Sequence, residues 1–578
     1  MLIEPVFSEG QIPLSEYPRP QFRRDSYLPL NGQWDYAFSP SAEVPKKYDG
    51  KIVVPYSPES SLSGVGRQLR ADEVLHYRRF FELPEGFNRG RVLINFGACD
   101  QCCKVLLNGR EAGRHEGGYL PFTLDITELI EGGVNELCVI VTDDASSHIY
   151  GRGKQSYASG GIWYTAISGL WQSVWLESVP EVYLTGLKLF PDGLNSTLSL
   201  YCRTEGGEGL IDYAVYDGDR RIAFMRGVKS GQRCTLDVSE CLPWSPESPQ
   251  LYKIVIACGA DRAESYFGLR SFTVAEREGK RCFCINGRPV FHSGLLDQGY
   301  WGEGIYTPSS NREMYDCLKG VKELGFNMLR KHIKVEPLLW YYYCDILGIL
   351  VWQDMLNGGA PYKKLRLNLG PFIDLRLNDG DYKSMGRDDA LSRKQYMAEA
   401  EGTIDSLFNC VSLCLWTLFN EGWGQFDSLA VCGHMRALDP TRYFDHASGW
   451  QDMGGGDVCS RHVYFKKVRL KNDGRRVLAL TEFGGYSFSE KGRKKAFSYR
   501  KFASAEDYMA ALERLYTRQI LPAVKEQGLA ATVYTQLSDV EEEVNGIFTP
   551  DWRCKGPKET FRRINDSLYR AFGEVSAI

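Results

Sequence analysis

The chain has 578 residues, 43% apolar and 25% charged, with a net charge of −4. It is too long for one core, and domains of roughly 100–250 residues imply two to four of them. No long basic or acidic run appears, which argues against nucleic acid and anionic membrane as partners. No apolar stretch approaches the ~20 residues that span a bilayer.

The first segment, "MLIEPVFSEGQIPLSEYPRP", shows neither a basic nor an apolar leader region, so a cytoplasmic location is the expectation. The 17 cysteines are odd in number and scattered. Several (Cys282, Cys284, Cys410, Cys414) lie in apolar strand-like runs, which suits buried thiols rather than a disulfide framework. "CDQCC" (Cys99 to Cys103) contains one C-x-x-C, but no second pair is near, so neither a metal nor another cofactor is expected.

Residues 25 to about 180 read as short strands separated by Gly, Asn and Asp turns: "GRVLINFGA", "CKVLLNGREAG", "NELCVIVTD". With no helical period between them, they suggest an antiparallel sandwich over residues 1–180. Residues 181–277 continue the pattern in a smaller unit whose strand count fits an immunoglobulin-like sandwich.

At about residue 278 the rhythm changes. Strand-like runs alternate with helical segments: "PVFHSGLLD" then "NREMYDCLKGVKELG", "FNMLRKH" then "EPLLWYYYCDILG", "ILVWQDM" then a long amphipathic stretch. "VSLCLWTLFNE", "YFDHASG", "DVCSRHVYF", "RVLALTEFG" and "AATVYTQLSD" follow. Eight strand candidates over residues 278–578 predict a (β/α)8 barrel, although helices after the fifth and sixth are not evident.

A barrel places its site at the C-terminal ends of its strands. The apolar run "LCLWTLFNE" stops at Asn420 and Glu421, and "VLALTEFGG" carries Glu482 at its end. Two carboxyls facing each other across a cleft are what glycoside hydrolysis needs: one protonates the leaving oxygen, while the other attacks the anomeric carbon or activates water. Asn420 can position Glu421 and hydrogen-bond a sugar hydroxyl. Other strand ends supply Asp297 and Gln298 with Tyr300 and Trp301, then Arg330 and His332, then Asp354. Beyond these come His462 and Tyr464, and finally Tyr534, Gln536 and Asp539. Trp423 offers a face for a sugar, and Asp345, on the second helix, reads as structural.

These motifs resemble a known family. "FNEGWGQFD" and "ALTEFGG" are similar to the acid/base and nucleophile motifs of glycoside hydrolase family 2, which includes β-galactosidases, β-glucuronidases and β-mannosidases. "VLLNGREAGRHEGGYLPFTLDIT" and "YTAISGLWQSVWLE" resemble its N-terminal jelly roll. "FGLRSFTV" with "INGRPVFHSG" resembles the junction into its barrel, and "YCDILGILVWQDM" its second helix and third strand. The resemblance implies an exo-acting retaining β-glycosidase with Glu482 as nucleophile and Glu421 as acid/base, their carboxyls about 5–5.5 Å apart. It also makes Tyr464 a hydrogen-bond partner of the nucleophile, and Arg330 a cation that keeps it ionised.

Three departures narrow the substrate. The family's Arg-x-x-His after the second strand reads "RKHIKVE" here, with Ile333 in the histidine's place. The third strand ends in Asp354 rather than Glu, and the metal-ligating histidine pattern of large β-galactosidases is missing from "QDMLNGGAPY". The Asn-x-Lys of β-glucuronidases is missing from "EEEVNGIFTPDWRCK", whose acids Glu541 to Glu543 would repel a uronate. A neutral sugar, with β-galactoside as the default, is therefore the expected substrate. β-Glucuronide, β-mannoside and arabinopyranoside are the alternatives within the family. A catalytically inactive carbohydrate-binding protein is the alternative outside it, and a metal-dependent hydrolase would need ligands that His292 alone does not provide. The jelly roll is expected to brace the barrel or wall the cleft, and a homo-oligomer is a possible assembly.

Overall fold

The structure is a computed structural model, and it describes residues 7, 10–361, 377–488 and 496–574. The start of the 1–180 unit and the last four residues of the 278–578 unit lie outside the described residues, as does Tyr362 at the end of "QDMLNGGAPY".

The first unit is a sandwich of two antiparallel sheets. One has six strands, with Val74–Glu82 and Val134–Thr142 at its centre, and the other has four, with Val174–Val179 and Arg91–Phe96 at its centre. Alternate residues of the facing strands, such as Leu75, Tyr77, Val92, Ile94, Val139 and Val141, bury one shared core, as the period of two requires. The second unit is a smaller sandwich of three and four strands around Leu198, Leu200, Tyr213, Ile254 and Ile256. All seventeen cysteines are free thiols. Among the described residues no helix is long and apolar enough to cross a membrane.

The third unit is a ring of eight parallel strands: β1 (His292–Asp297), β2 (Met328–Lys331), β3 (Leu350–Asp354), β4 (Leu413–Thr417), β5 (Tyr443–Asp445), β6 (Val458–Val463), β7 (Val477–Gly484) and β8 (Ala531–Thr535). Their ladders run β5-β4-β3-β2-β1-β8-β7-β6. Between β5 and β6 no ladder forms among the described residues. Asp457 bridges the gap instead: its N–H donates to Phe444 O (2.7 Å) and its carboxylate accepts from Phe444 N (2.8 Å). Helices α1 (Asn311–Glu323), α2 (Leu338–Leu347), α3 (Ala390–Leu407) and α4 (Ser428–Leu438) follow β1 to β4, α5 (Ala505–Leu515) precedes β8, and α6 (Lys558–Glu574) follows it. Helix α1 starts at Ser310, whose side chain accepts from Glu313 N, a cap that satisfies an otherwise unpaired donor. The connections 446–457 and 464–476 carry no helix, which explains the missing helical period there.

A short three-stranded sheet, Phe272–Arg277, Lys280–Ile285 and Arg288–Pro289, leads into β1 and plugs the ring's N-terminal end. Phe283, fully buried, stacks on His292 (4.6 Å) and meets Tyr443 (4.7 Å) and Trp352 (5.8 Å). His292 is thus part of the plug, and burial lowers its pKa to about 3. Phe283→Ala removes a fully buried ring on which His292, Trp352 and Tyr443 pack. It is expected to cost about 3–5 kcal/mol, read from the urea midpoint of the barrel transition. A cost below about 1 kcal/mol would mean the strands close without the plug.

Candidate active site

Two backbone irregularities aim the carboxylates. In β7 the ladder with β6 pairs Arg461 with Leu480 but His462 with Glu482, so Thr481 is an extra residue. The ladder with β8 shifts over the same stretch. A bulge re-aims the residue after it, and Glu482 comes to face the mouth of the ring. β4 ends at Thr417, but its path continues beside residues 445–448: Leu418 N donates to Asp445 O, Ser448 N to Phe419 O, and Glu421 N to Ser448 O. Glu421 therefore lies four residues beyond the regular strand rather than at its last position. It sits at φ 52°, a left-handed conformation rare outside glycine. The next residue must be glycine, because a Cβ on Gly422 would lie 2.4 Å from Gln451 Cγ.

Ligand-type atoms of Glu421, Glu482 and His462 all lie within 4.8 Å of one another. The Tyr464 hydroxyl spans the two carboxylates, donating to Glu482 Oε2 at 2.5 Å, with Glu421 Oε1 at 3.4 Å. His462 Nδ1 is 2.9 Å from Glu421 Oε1, and its Nε2 meets Ser448 Oγ at 3.1 Å. This trio has the donor types and spacing of a cation site. The buried Arg330 guanidinium, 3.0 Å from Glu482 Oε1, already supplies the positive charge there.

Arg330, with no exposed surface, organises the floor. Nε donates to Asp354 Oδ1 (2.9 Å), Nη1 to Glu482 Oε1 (3.0 Å) and Thr481 O (3.1 Å), and Nη2 to Asn420 Oδ1 (2.8 Å). The fork geometry suits arginine and no other residue. His332 Nδ1 contacts Asp354 Oδ2 at 2.7 Å. Burial alone would raise the pKa of Glu482. The charges of His462, Arg330 and His332, with the Tyr464 hydrogen bond, overcome that and hold it at about 2. Burial likewise opposes ionised Asp354, and Arg330 and His332 bring it below its ordinary value.

The structure thus brings together Glu421, Glu482, Asn420, Arg330, His332, Asp354, His462 and Tyr464. Gln298 and Gln536 pair with each other (2.8 Å) at the ends of β1 and β8, and Gln536 keeps a buried amide nitrogen without a partner. Trp423 stacks on Trp163 of the first sandwich (5.7 Å, 28°). Two expected site residues are corrected. Asp297 faces the helices rather than the cleft: its carboxylate pairs with Lys331 (2.6 Å), which lies over the Trp340 ring of α2. Tyr534 is buried in the wall, packed on Phe483, and its hydroxyl accepts from Tyr486 N (3.0 Å). Asp539 is paired with Lys555. Asp345 joins Tyr266 of the second sandwich to Ser412 N and is structural, as expected.

Side chains from outside the barrel's strand ends complete the site. Residues 150–171 of the first sandwich lie over the C-terminal face. Arg152 N and Gly153 N donate to Asn357 O, and Thr307 Oγ1 donates to Trp171 O. The three acids read as a repelling run are instead fasteners. Glu541 accepts from Thr165 N (2.7 Å), Glu542 from Gly161 N (3.1 Å), and Glu543 from the Tyr164 hydroxyl. Tyr499 stacks flat on Tyr464 (4.1 Å, 6°). Tyr499, Trp163, Asn357 and Lys154 carried no periodic signal in the sequence.

A sandwich laid over the mouth of a parallel barrel, with paired carboxylates at β4 and β7, defines a recognisable class of protein. The family model for the sugar binding domain of glycosyl hydrolases family 2 matches residues 67–180, and that for its TIM barrel domain matches residues 279–473. The chain belongs to glycosyl hydrolases family 2. It is 22% identical over 383 residues to a β-galactosidase of Halalkalibacterium halodurans, covering 63% of this chain and 35% of that one. A β-galactosidase of Thermoanaerobacter pseudethanolicus is 26% identical over 296 residues, covering 48% and 39%. The aligned part thus spans little more than a third of these curated relatives. Among solved structures, a β-D-glucuronidase of Dictyoglomus thermophilum shares the fold with TM-score 0.74 at 17% identity, covering 95% of this chain and 98% of that one. A β-galacturonidase of Eisenbergiella tayi, bound to galacturonate, does so with TM-score 0.71 at 18% identity, covering 95% and 99%.

Proposed function

We propose that the chain is an exo-acting retaining β-glycosidase that removes a terminal β-linked sugar through a covalent glycosyl-enzyme. Glu482 attacks the anomeric carbon while Glu421 protonates the departing oxygen. Glu421 then takes a proton from the water that releases the sugar. The observation that carries this reading is the spacing. Reactive atoms within 4.8 Å suit direct attack, whereas inversion needs carboxyls about 6.5–9.5 Å apart to admit a water. The charges around Glu482 support the same division of roles, because a carboxylate held at about 2 stays ionised and nucleophilic. Arg330 fixes its orientation, and Tyr464 steadies the oxygen that does not attack. Residues 150–171, held over the strand ends by the bonds to Asn357 and Thr307, support the exo mode.

The experiment is a panel of 4-nitrophenyl β-glycosides, neutral and acidic, with the released sugar followed by proton NMR before mutarotation. Release with the β-anomer formed first is expected. First appearance of the α-anomer, or no release from any member, defeats the reading.

A further inference from the structure

Lys154 stands out among the buried charges of the molecule. It belongs to the first sandwich, in the loop that crosses the barrel mouth, and is only 7% exposed. Among the described residues its ammonium makes no hydrogen bond and no ion pair. It lies over the face of the Tyr164 ring, 5.6 Å from its centroid. Buried lysines elsewhere in this chain are paired: Lys331 with Asp297 and Glu336, Lys334 with Glu336. Burying a charge without a counter-ion is costly, so an unpaired one points to an anion supplied from outside.

Its position says which anion. The loop is pinned to the barrel by Arg152 N and Gly153 N on Asn357 O (2.8 and 3.3 Å), and Gly153 is packed so closely on Ile333 O that a Cβ would lie 2.8 Å from it. Lys154 is near enough to His332 that, after burial, its charge helps lower that imidazole's pKa. His332 in turn leans on Asp354, which holds Arg330, which holds Glu482. Asn357, 2% exposed, is the residue that anchors the loop, and both polar atoms of its side chain lack a partner. The residue with an unpaired ammonium and the residue with an unpaired amide thus belong to two segments that the Arg152 N and Gly153 N bonds to Asn357 O hold side by side. The acids Glu541 to Glu543 are held by the loop's own donors, Thr165 N, Gly161 N and the Tyr164 hydroxyl, which fix where their carboxylates sit.

We infer that Lys154 recognises a carboxylate on the substrate sugar, so that the terminal residue is a uronide rather than a neutral hexoside. Lys154 gives the charge, and the Asn357 amide supplies a donor for a carboxylate oxygen or an adjacent hydroxyl. The inference rests on the glycosidase reading and replaces the neutral sugar expected from the sequence. That expectation relied on a missing Asn-x-Lys and on repulsion by three acids that prove to be occupied.

The test compares kcat/KM of the native chain, Lys154→Met and Lys154→Arg on 4-nitrophenyl β-D-glucuronide, β-D-galacturonide, β-D-glucoside and β-D-galactoside. The native chain is expected to favour a uronide. Lys154→Met should lower uronide turnover about 10- to 100-fold more than turnover of the matching neutral glycoside, the range for losing one charge-assisted hydrogen bond. Lys154→Arg should retain much of the preference. The melting temperature of Lys154→Met should match or exceed the native value, which separates lost recognition from lost folding. Preference for a neutral glycoside, or a uronide-to-neutral ratio that Lys154→Met leaves unchanged, overturns the inference while the glycosidase reading stands. No turnover of any of the four also overturns the inference, and the wider panel above then decides the glycosidase reading.

Discussion

Glu482→Gln is expected to lower kcat on any aryl β-glycoside the protein cleaves by on the order of 10⁵-fold or more. The amide is nearly the shape of the carboxylate: its one oxygen can still accept from Arg330 Nη1, while its NH2 group, at the place of Oε2, donates to the Tyr464 hydroxyl oxygen instead of accepting from it. What it lacks is the negative charge and the lone pair that bonds the anomeric carbon, so binding should survive while turnover does not. A variant keeping most of its activity would place the nucleophile elsewhere. The same substitution has a signature in stability. Burial alone would raise Glu482, but His462, Arg330, His332 and Tyr464 bring it from 4.5 to about 2. A depressed carboxylate pKa adds stability above the unfolded value, and that contribution is lost as pH falls through the folded value. The gap in melting temperature between native protein and Glu482→Gln should therefore be widest above about pH 5 and narrow between about 4.5 and 2. A gap independent of pH would mean the charge contributes nothing to the fold.

Glu421→Ala should behave differently. Loss of a general acid costs about 10²–10⁴-fold, and the cost should track how badly the leaving group needs a proton. Nitrophenyl and alkyl glycosides should lose most. A dinitrophenyl glycoside should still load Glu482 and then stall, because no base activates the incoming water. Azide needs no deprotonation and fits the vacated space, so it should restore turnover and yield a β-glycosyl azide. If azide changes neither rate nor product, the acid/base is another group. His462 would then be the first to examine, since its Nδ1 lies 2.9 Å from Glu421 Oε1.

The barrel was legible because its rhythm is physical: apolar runs that fill a ring, broken by helices that must cover it. Glu421 and Glu482 stood out because each interrupts such a run at the end where a barrel keeps its chemistry. The direction of side chains was harder to read. Every residue of β1 from His292 to Asp297 is buried, so both faces of the strand look alike in sequence. Asp297 was accordingly assigned to the cleft when it faces Lys331 and the helices. Tyr534 on β8 misled for the same reason. A bulge is likewise invisible in a run of apolar letters, so Thr481 gave no warning that it redirects Glu482. The acids Glu541 to Glu543 show the other limit. Composition gives their charge, but only the fold shows that residues about 380 positions earlier engage them through N–H and O–H donors.

That last separation governs when the protein can work. Tyr164 and Glu543 join across 379 positions, so one wall of the pocket is made long before its fastening. Domains fold as they leave the ribosome, N-terminal first, and a contact this distant must wait for the chain between its ends. The two sandwiches stand as finished bodies while the ring is still incomplete, and the pocket exists only once β8 and the segment after it have been released and have closed upon a loop folded long before.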